Sequence, residues 1–305
     1  MTKLVLIDGN AILHRAYHAL PPLTSKDGKQ INAVYGFTLM LLKIIQDLAP
    51  THIVCAFDTP KPTFRHAEYV GYQAQRPRMS SELSEQFDLV YRVLGAIGIP
   101  IFRQEGYEAD DIIGTIAKQA TDNDKKNFEV DEVVIVTGDR DILQLVTDRI
   151  RVYMPIRGLT DAKLFGVKEV IEKMGVKPSQ IVDYKALVGD ASDNYKGVLG
   201  IGPKTAVSLI KQFGSLEGVY KHLGDIPSKI SQKLAQGAEE AGLSKKLATI
   251  VTDAPITFHL DEAAVWDIKS EKVLKVFAKI GFKTLAKRVQ EVGKKIEKEK
   301  QMQLF

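Results

Sequence analysis

The chain has 305 residues, 45% hydrophobic and 26% charged, with a formal net charge of +4. This composition is that of an ordinary globular protein and excludes a chain that is disordered throughout. No apolar run of about 18 residues occurs, and the N-terminal MTKLVLIDGN begins directly with a strand pattern. We therefore expect a cytoplasmic protein with no membrane span and no secretory signal.

Five apolar segments, separated by helical patterns, predict buried strands of a parallel sheet. They are Lys3–Ile7, His52–Phe57, Ile99–Phe102, Glu132–Val136 and Ile150–Tyr153. Alternation of strands and helices is typical of an α/β domain with both sheet faces covered. The length suggests roughly two domains, and one domain with a long appendage is also compatible with it.

The rest of the chain divides into three further segments. Between the second and third strands, residues 62–100 form a long insertion that carries Arg65, Arg76 and Arg78 among aromatic residues. After about Leu164 the pattern becomes helical, with Gly and Pro breaks, which predicts a second, all-helical domain over 165–290. Residues 291–305 then form a charged tail, which follows a region rich in Lys.

Acidic residues follow nearly every predicted strand, where ligands bind in open parallel sheets. Two more acidic residues, at helical spacing, lie in the second domain. These nine carboxylates are Asp8, Asp58, Glu108, Asp110, Asp111, Asp139, Asp141, Asp190 and Asp193. Taken singly, each Asp after a strand is explained as a turn or a helix N-cap. Together, however, so many anions in one cleft require cations.

The ligand types predict which cation. The set offers only oxygen ligands, and the six histidines show no zinc spacing, so the sequence favours Mg²⁺ or Mn²⁺. Two such ions could activate a water and stabilise the leaving oxygen of a phosphodiester. A phosphatase could use the same chemistry. The single cysteine, Cys55, lies in the apolar run HIVCAF and is expected to be a buried hydrophobic residue.

Two segments point to nucleic acid. The Gly-rich turn that contains Gly200 and Gly202 precedes a helix start with Lys204 and Thr205, where backbone N–H groups can hold a phosphate. A plain turn between two helices explains it equally well. The Arg and Tyr residues of the insertion suit single-stranded nucleic acid, and a solvated basic helix is the alternative.

The ordered blocks LIDGNAILHRAYHA, FDTPKPTFRH, EGYEADDIIGTIA, VIVTGDRDILQLV, GDASDN and GVLGIGPKTA resemble the 5′-nuclease domain of bacterial DNA polymerase I and the related flap endonucleases. The likeness runs from Leu4 to about Arg288. It implies a PIN-like parallel sheet over residues 1–164 with a helical arch at about 62–98. It also implies a helix-three-turn-helix, or helix-hairpin-helix-like, unit that binds duplex DNA, often with K⁺.

The resemblance further implies an activity and residue roles. The family removes 5′ flaps and RNA primers from DNA, which it cuts near nicks and 5′ ends, and its members act as monomers. Asp8, Asp58, Glu108 and Asp110 would hold the first ion, with Asp111 in support. Asp139, Asp141, Asp190 and Asp193 would hold the second ion. Phosphate contacts are implied for Arg15, Arg65 and Arg76, stacking on the 5′ strand for Tyr72, and a duplex grip for Gly200, Gly202 and Lys204.

Two departures from the family pattern affect function. Bacterial relatives carry Tyr-Lys-x-x-Arg in the arch, but this chain has Gln73 in place of the lysine, which predicts a slower enzyme in which Arg76 or Arg78 substitutes. The chain ends without a polymerase region, which suggests a stand-alone nuclease. Its last residues, with Gln301, Leu304 and Phe305, resemble a peptide that binds the bacterial sliding clamp, and a chance match is the alternative.

Two other functions remain as alternatives. A catalytically weakened protein that binds DNA structures would account for Gln73 but gains nothing from dense negative charge. An RNA-cleaving PIN-type nuclease would keep the acids of the sheet but has no use for the second helical domain.

Overall fold

The computed structural model describes residues 1–122 and 130–302, with the backbone alone for residues 297–302. Its central feature is a six-stranded sheet in the order β3-β2-β1-β4-β5-β6. The strands are β1 (Lys3–Asp8), β2 (His52–Ala56), β3 (Ile101–Phe102), β4 (Glu132–Val136), β5 (Ile150–Arg157) and β6 (Asp161–Phe165). A separate two-stranded hairpin pairs β7 (Gly189–Asp190) with β8 (Tyr195–Lys196).

The sheet is parallel except at one edge, where β6 runs antiparallel to β5. All five predicted strands are present, with small shifts of their ends. The edge strand β6 is not among the predicted ones. Its sequence DAKLF buries only Phe165, so no apolar run marks it as a strand.

Helices cover both faces of the sheet. In chain order they are α1 (Gly9–Ala19), α2 (Asn32–Leu48), α3 (Phe64–Glu68), α4 (Ser81–Ile97), α5 (Ala109–Thr121), α6 (Val167–Met174), α7 (Ile181–Val188), α8 (Pro203–Phe213), α9 (Leu216–Lys221), α10 (Ser228–Gln236), α11 (Ala238–Ala248), α12 (Glu271–Ile280) and α13 (Lys283–Met302). None of the helices described is both long and apolar enough to span a membrane.

Alternate residues of each strand enter different cores, as the pleat of a strand requires. In β1, Leu4 and Leu6 pack with α5 and with the helical region that extends to Ala263. Val5 and Ile7 pack on the opposite face, against α1, α2, α4, α12 and α13. The continuous apolar sequence of the strands is therefore explained by burial on both faces. The fold is the predicted α/β class, with helical elements after the sheet.

The structure distributes the expected arch and the expected helical domain differently from the sequence prediction. In each segment, some helices pack in the core beneath the sheet. Helix α4, which falls inside the expected arch of residues 62–98, buries Val90, Val93, Leu94 and Ile97 in the core beneath the sheet. Helices α12 and α13 enter that same core, although the sequence groups them with the DNA-binding region of residues 165–290. Of the expected arch, residues 62–80, which precede α4, are left to lie beside the acidic end of the sheet.

Cys55 lies in β2, between β3 and β1 of this sheet, and its side chain is fully buried. The expectation that it is a buried hydrophobic residue is confirmed. Burial raises the pKa of its thiol well above the ordinary value, and the neighbouring charge of Asp8 adds to this effect.

Candidate active site

The carboxyl ends of the parallel strands bring together five acidic residues, which we call the sheet cluster. Asp8 ends β1, and four others follow β2, precede or begin α5, or follow β4: Asp58, Glu108, Asp110 and Asp139. Burial raises the pKa of Asp8 to about 7, and the charge of Asp58 adds to the increase. Burial likewise raises the pKa of Glu108 to about 7, partly offset by the charge of Arg65.

Asp110 lies at the centre of this negative charge. Burial raises its pKa well above the ordinary value, and the charges of Asp139, Asp8, Glu108 and Asp58 raise it further. Carboxylates that repel one another at a buried position are stable as anions only if a cation joins them. A cation bound among these carboxylates would relieve their repulsion.

Some members of the sheet cluster also act as helix caps, the alternative role that the sequence offered. Asp8 accepts a hydrogen bond from the backbone of Ala11 (2.9 Å) with one oxygen and from the Thr137 hydroxyl (2.7 Å) with the other. Asp58 accepts one from the backbone of Ala109 at 2.7 Å. The two roles are therefore compatible, because capping fixes the direction in which each carboxylate faces the cleft.

A second group of acids, the hairpin cluster, consists of Asp141, Asp190 and Asp193. One oxygen of each lies within 4.8 Å of the others, close enough to share a metal ion. The turn between β7 and β8 carries Asp193, and the hairpin is tight at its base: a Cβ on Gly189 would lie 2.4 Å from the backbone nitrogen of Gly197. The resemblance also assigned Asp139 to this set, but the three-residue group does not include it. The charge of Asp139 instead acts on Asp8 and Asp110 of the sheet cluster as well as on Asp141.

Two basic side chains lie at the hairpin cluster. The ammonium of Lys185, from α7, donates to both Asp141 and Asp190. Arg76 donates to Oδ1 of Asp193 at 2.6 Å. Burial raises the pKa of Asp141 to about 7 against the effect of Lys185. In Asp190, the hydrogen bonds from Lys185 and Ser192 prevail over burial and lower the pKa.

Sequence reasoning missed Lys185. The available signal was its place in α7, whose sequence IVDYKALV is otherwise mostly apolar, so that a lysine there has little solvent to reach. Its side chain is 9% exposed. The ring of Tyr195 lies 5.9 Å from the ammonium and packs beside it.

Residues 71–76 connect the two clusters. The buried Tyr72 donates its hydroxyl hydrogen bond to Glu108 (3.2 Å) or to Asp193 (3.4 Å). Gln73 adopts a left-handed backbone conformation with φ of 54°, and it donates from its backbone and its amide to Asp193. Asn194 in turn donates to the carbonyl of Gly71 at 2.7 Å.

Of three residues predicted to contact the substrate, two are buried and the third bonds a backbone carbonyl. Arg65 is 2% exposed and forms a bidentate ion pair with the buried Asp111, at 2.8 Å for both bonds. Tyr72 is 3% exposed, so its ring has no free face on which a base could stack. Arg15 donates to the carbonyl of Gly158. Protein groups surround both buried side chains in this conformation, and the phosphate and stacking roles that the resemblance implied for Arg65 and Tyr72 stay predictions.

The Gly-rich turn has the geometry of a helix start. Gly202 precedes Pro203 at the first position of α8, and Lys204 is exposed beside it. Gly200 has a positive φ of 79°, and its carbonyl accepts from Lys233 at 3.1 Å. Arg78 is exposed on the chain that leads into α4. Of the C-terminal residues, Leu304 and Phe305 lie outside the described residues, and Gln301 is described by its backbone alone.

Relatives of this chain occur among bacterial polymerases. Residues 3–175 match the family described as 5′-3′ exonuclease, N-terminal resolvase-like domain, and residues 176–271 match 5′-3′ exonuclease, C-terminal SAM fold. DNA polymerase I of Bacillus subtilis is 41% identical over 302 residues, which cover 99% of this chain and 34% of the polymerase. DNA polymerase I of Mycobacterium tuberculosis is 37% identical over 288 residues, which cover 94% of this chain and 31% of the polymerase. The chain thus spans about a third of the length of these relatives.

Two solved structures share its fold. The bacteriophage T5 flap endonuclease, crystallised with DNA and metal ions, superposes with a TM-score of 0.65 at 19% identity, covering 96% of this chain and 99% of that one. The catalytic core of Rad2 with DNA substrate gives a TM-score of 0.60 at 15% identity, covering 97% and 92%. These likenesses extend over both the PIN-like sheet and the helical region. Since both family regions match in order over residues 3–271, this chain belongs to the 5′-3′ exonuclease family.

Proposed function

We propose that this chain is a structure-specific 5′-3′ exonuclease and 5′-flap endonuclease that hydrolyses phosphodiesters of DNA, and of primer RNA, with two divalent metal ions. The observation that carries the proposal is the meeting of two carboxylate clusters at the carboxyl end of one parallel sheet. Asp141, Asp190 and Asp193 alone provide three oxygens within 4.8 Å. Family membership, the DNA and metal ions of the bacteriophage T5 structure and the DNA of the Rad2 structure support the same reading.

The donor set fits the proposed cofactor. Every candidate ligand is a carboxylate oxygen, which suits a hard ion such as Mg²⁺ or Mn²⁺. In the sheet cluster, Asp8, Asp58, Glu108 and Asp110 would hold one ion; Asp139 with the hairpin cluster would hold the other. Bound ions would supply a hydroxide at neutral pH and neutralise charge that develops on the phosphate oxygens.

The chain's own residues supply binding and orientation. Arg76 already lies at Asp193, and half of its side chain is exposed, so a phosphate entering the cleft can compete for its guanidinium. Arg78 adds positive charge on the same approach. We propose that Gly200, Gly202, Lys204 and Thr205 hold the backbone of the duplex through the start of α8, where the N–H groups of a helix attract phosphate. A K⁺ ion at this turn and a monomeric state are part of the same proposal.

The test uses labelled DNA with a 5′ flap and a matched single-stranded RNA, each with Mg²⁺ or with EDTA. We expect the flap to be released in Mg²⁺ only. Asp110→Asn should abolish release, because it removes a central ligand, whereas Asp161→Asn, at the start of β6 and on the sheet's far edge, should leave the rate unchanged. Tight binding to the flap without release would instead favour a weakened DNA-structure-binding protein, which Gln73 motivates. Preferential cutting of RNA would contradict the DNA proposal.

A further inference from the structure

Lys185 occupies the position at which the hairpin cluster would bind a metal ion. Its ammonium donates to Oδ1 of Asp141 and to Oδ2 of Asp190, two of the three carboxylates that lie within ion-sharing distance. The side chain reaches this position from the last turn of α7, five residues before Asp190, and is almost fully buried. The protein itself thus supplies a positive charge at the place where the proposed function requires the second metal ion.

The remaining oxygen of Asp190 cannot substitute. Oδ1 of Asp190 already accepts from the backbone (2.7 Å) and hydroxyl (2.5 Å) of Ser192, and from the backbone of Asp193 at 3.3 Å. An ion that takes a ligand from Asp190 must therefore use Oδ2, the oxygen that Lys185 holds. Coordination bonds of about 2 Å would bring a dication close to the ammonium, where repulsion is strong in a partly buried site.

We propose that Lys185 is a positioning residue that acts as a built-in counter-ion: it holds Asp141 and Asp190 together before the second metal ion arrives and competes with that ion for the same oxygens. The inference rests on the proposed function, because it concerns the metal centre of the same site. Its consequence is that the two clusters differ in affinity. In the sheet cluster only Glu108 has an ion-pair partner among the described residues, Arg65 at 3.2 Å. The sheet cluster therefore binds its ion first, and the hairpin cluster fills only when Lys185 moves aside.

The chain provides a matched control. Lys245 also bridges two carboxylates, those of Asp183 (2.7 Å) and Glu217 (2.6 Å), but neither of these acids belongs to the sheet cluster or the hairpin cluster. Lys185→Met and Lys245→Met each remove one ammonium and keep a side chain of similar length. Both should lower the unfolding temperature of the metal-free protein. Only the first should change metal binding.

The experiment titrates the full chain with Mn²⁺, without DNA, and follows bound ions by electron paramagnetic resonance and calorimetry. We expect Lys185→Met to bind a second ion about tenfold or more tightly than the wild type, because a repelling charge at the site is gone. Added Mn²⁺ should also restore the unfolding temperature of Lys185→Met, since an ion that binds only the folded state stabilises it. Lys245→Met should keep wild-type affinity and stay destabilised in Mn²⁺. Second-ion binding by Lys185→Met that is unchanged or weaker would overturn the proposal.

If Lys185→Met does not fold, the proposal can still be tested on the wild-type protein. Acetylation of amines at fixed pH, read by peptide mass spectrometry, should modify Lys185 faster once Mn²⁺ fills the second site, and Lys245 at an unchanged rate. Protection of Lys185 that persists at saturating Mn²⁺ would contradict displacement. Both experiments are independent of nuclease activity. A chain that fails to cut flap DNA but shows these metal effects refutes the proposed function alone, whereas one that cuts but lacks them refutes only this inference.

Discussion

Arg65 and Asp111 form a bidentate ion pair in the interior, and the same guanidinium lies 3.2 Å from Glu108 of the sheet cluster. The guanidinium also donates to the carbonyls of Leu247 (2.9 Å) and Thr249 (2.8 Å), at the end of α11. One side chain thus attaches α3 to the start of α5 and to the helical region. Its role is to fix the positions of the elements that carry the acids.

Replacing Arg65 by Met should strongly destabilise the fold. The change leaves Asp111 as a buried anion without its partner, which costs about 3–5 kcal/mol of unfolding free energy. Urea denaturation measures this loss. Lys61→Met is the control, because the Lys61–Glu105 pair is 64% exposed on both sides and should contribute little. A loss for Arg65→Met no larger than the control would contradict the role we assign to the pair.

Gln73 stands where the family pattern has a lysine, and in this structure its amide donates to Asp193. Gln73→Lys should raise the single-turnover rate of flap cleavage about tenfold or more, because a charged donor stabilises a phosphate in the transition state better than a neutral amide. The left-handed backbone at this position is no harder for lysine than for glutamine. Gln73→Met, which cannot donate, is the control. An unaltered rate for Gln73→Lys would show that the missing lysine does not limit the enzyme.

At the scale of the elements, the acidic residues at the strand ends should make the stability of the metal-free protein depend on pH. The pKa values of Asp8 and Glu108 in the folded chain are about 7, against ordinary values of 3.8 and 4.5. At pH values between the ordinary pKa and about 7, these two carboxyl groups are protonated in the folded state and ionised in the unfolded state. The free energy of unfolding therefore falls as the pH rises towards 7 and levels off above it.

In EDTA, the unfolding temperature should fall between about pH 5 and pH 8, and Mg²⁺ should reduce the fall because it stabilises the ionised carboxylates. Calorimetric melting at a series of pH values measures both profiles. The double variant Asp8→Asn, Glu108→Gln should have a flatter profile in EDTA. If that variant retains the wild-type slope, the pH dependence originates elsewhere.

Elements also show which features sequence can predict. The acidic strand ends were predictable because the topology of a parallel sheet places them all at one edge. The pairing of Lys185 with Asp141 was not, since nothing local in either segment specifies a contact 44 residues away. The burial of α4 had a signal: Val90, Val93, Leu94 and Ile97 follow the spacing of a core-facing helix stripe. That stripe favours a core helix over an arch.

At the scale of the whole molecule, the C-terminal helices complete the nuclease core. Phe277 of α12 is fully buried, together with residues of α2 and α4, on the face of the sheet opposite the helical region. The boundaries at residues 164 and 290 stay predictions. The packing nevertheless means that the chain returns to its first domain after leaving it, which apolar periodicity in α12 and α13 alone cannot reveal.

Phe277→Ala should therefore destabilise the molecule as a whole, by about 3–5 kcal/mol, because it leaves a cavity in the core beneath the sheet. Chemical denaturation followed by the fluorescence of Trp266 is a suitable measurement. The exposed Lys275→Ala, on the same helix, is the control. A small loss for Phe277→Ala would indicate that α12 is peripheral to the nuclease core.

The reactivity of the single thiol, that of Cys55, reports on global unfolding of the chain. Because the thiol is buried in β2 and its pKa is raised, a thiol reagent should modify it only in molecules whose central sheet has come apart. The modification rate in native buffer should slow when Mg²⁺ is added, and a rate that is fast and indifferent to Mg²⁺ would argue against such protection. Because the buried Cys55 does not react in the native state, the surface is free for site-directed labelling. A cysteine introduced at the exposed Leu199 or Val70 would react alone, without removal of the natural cysteine.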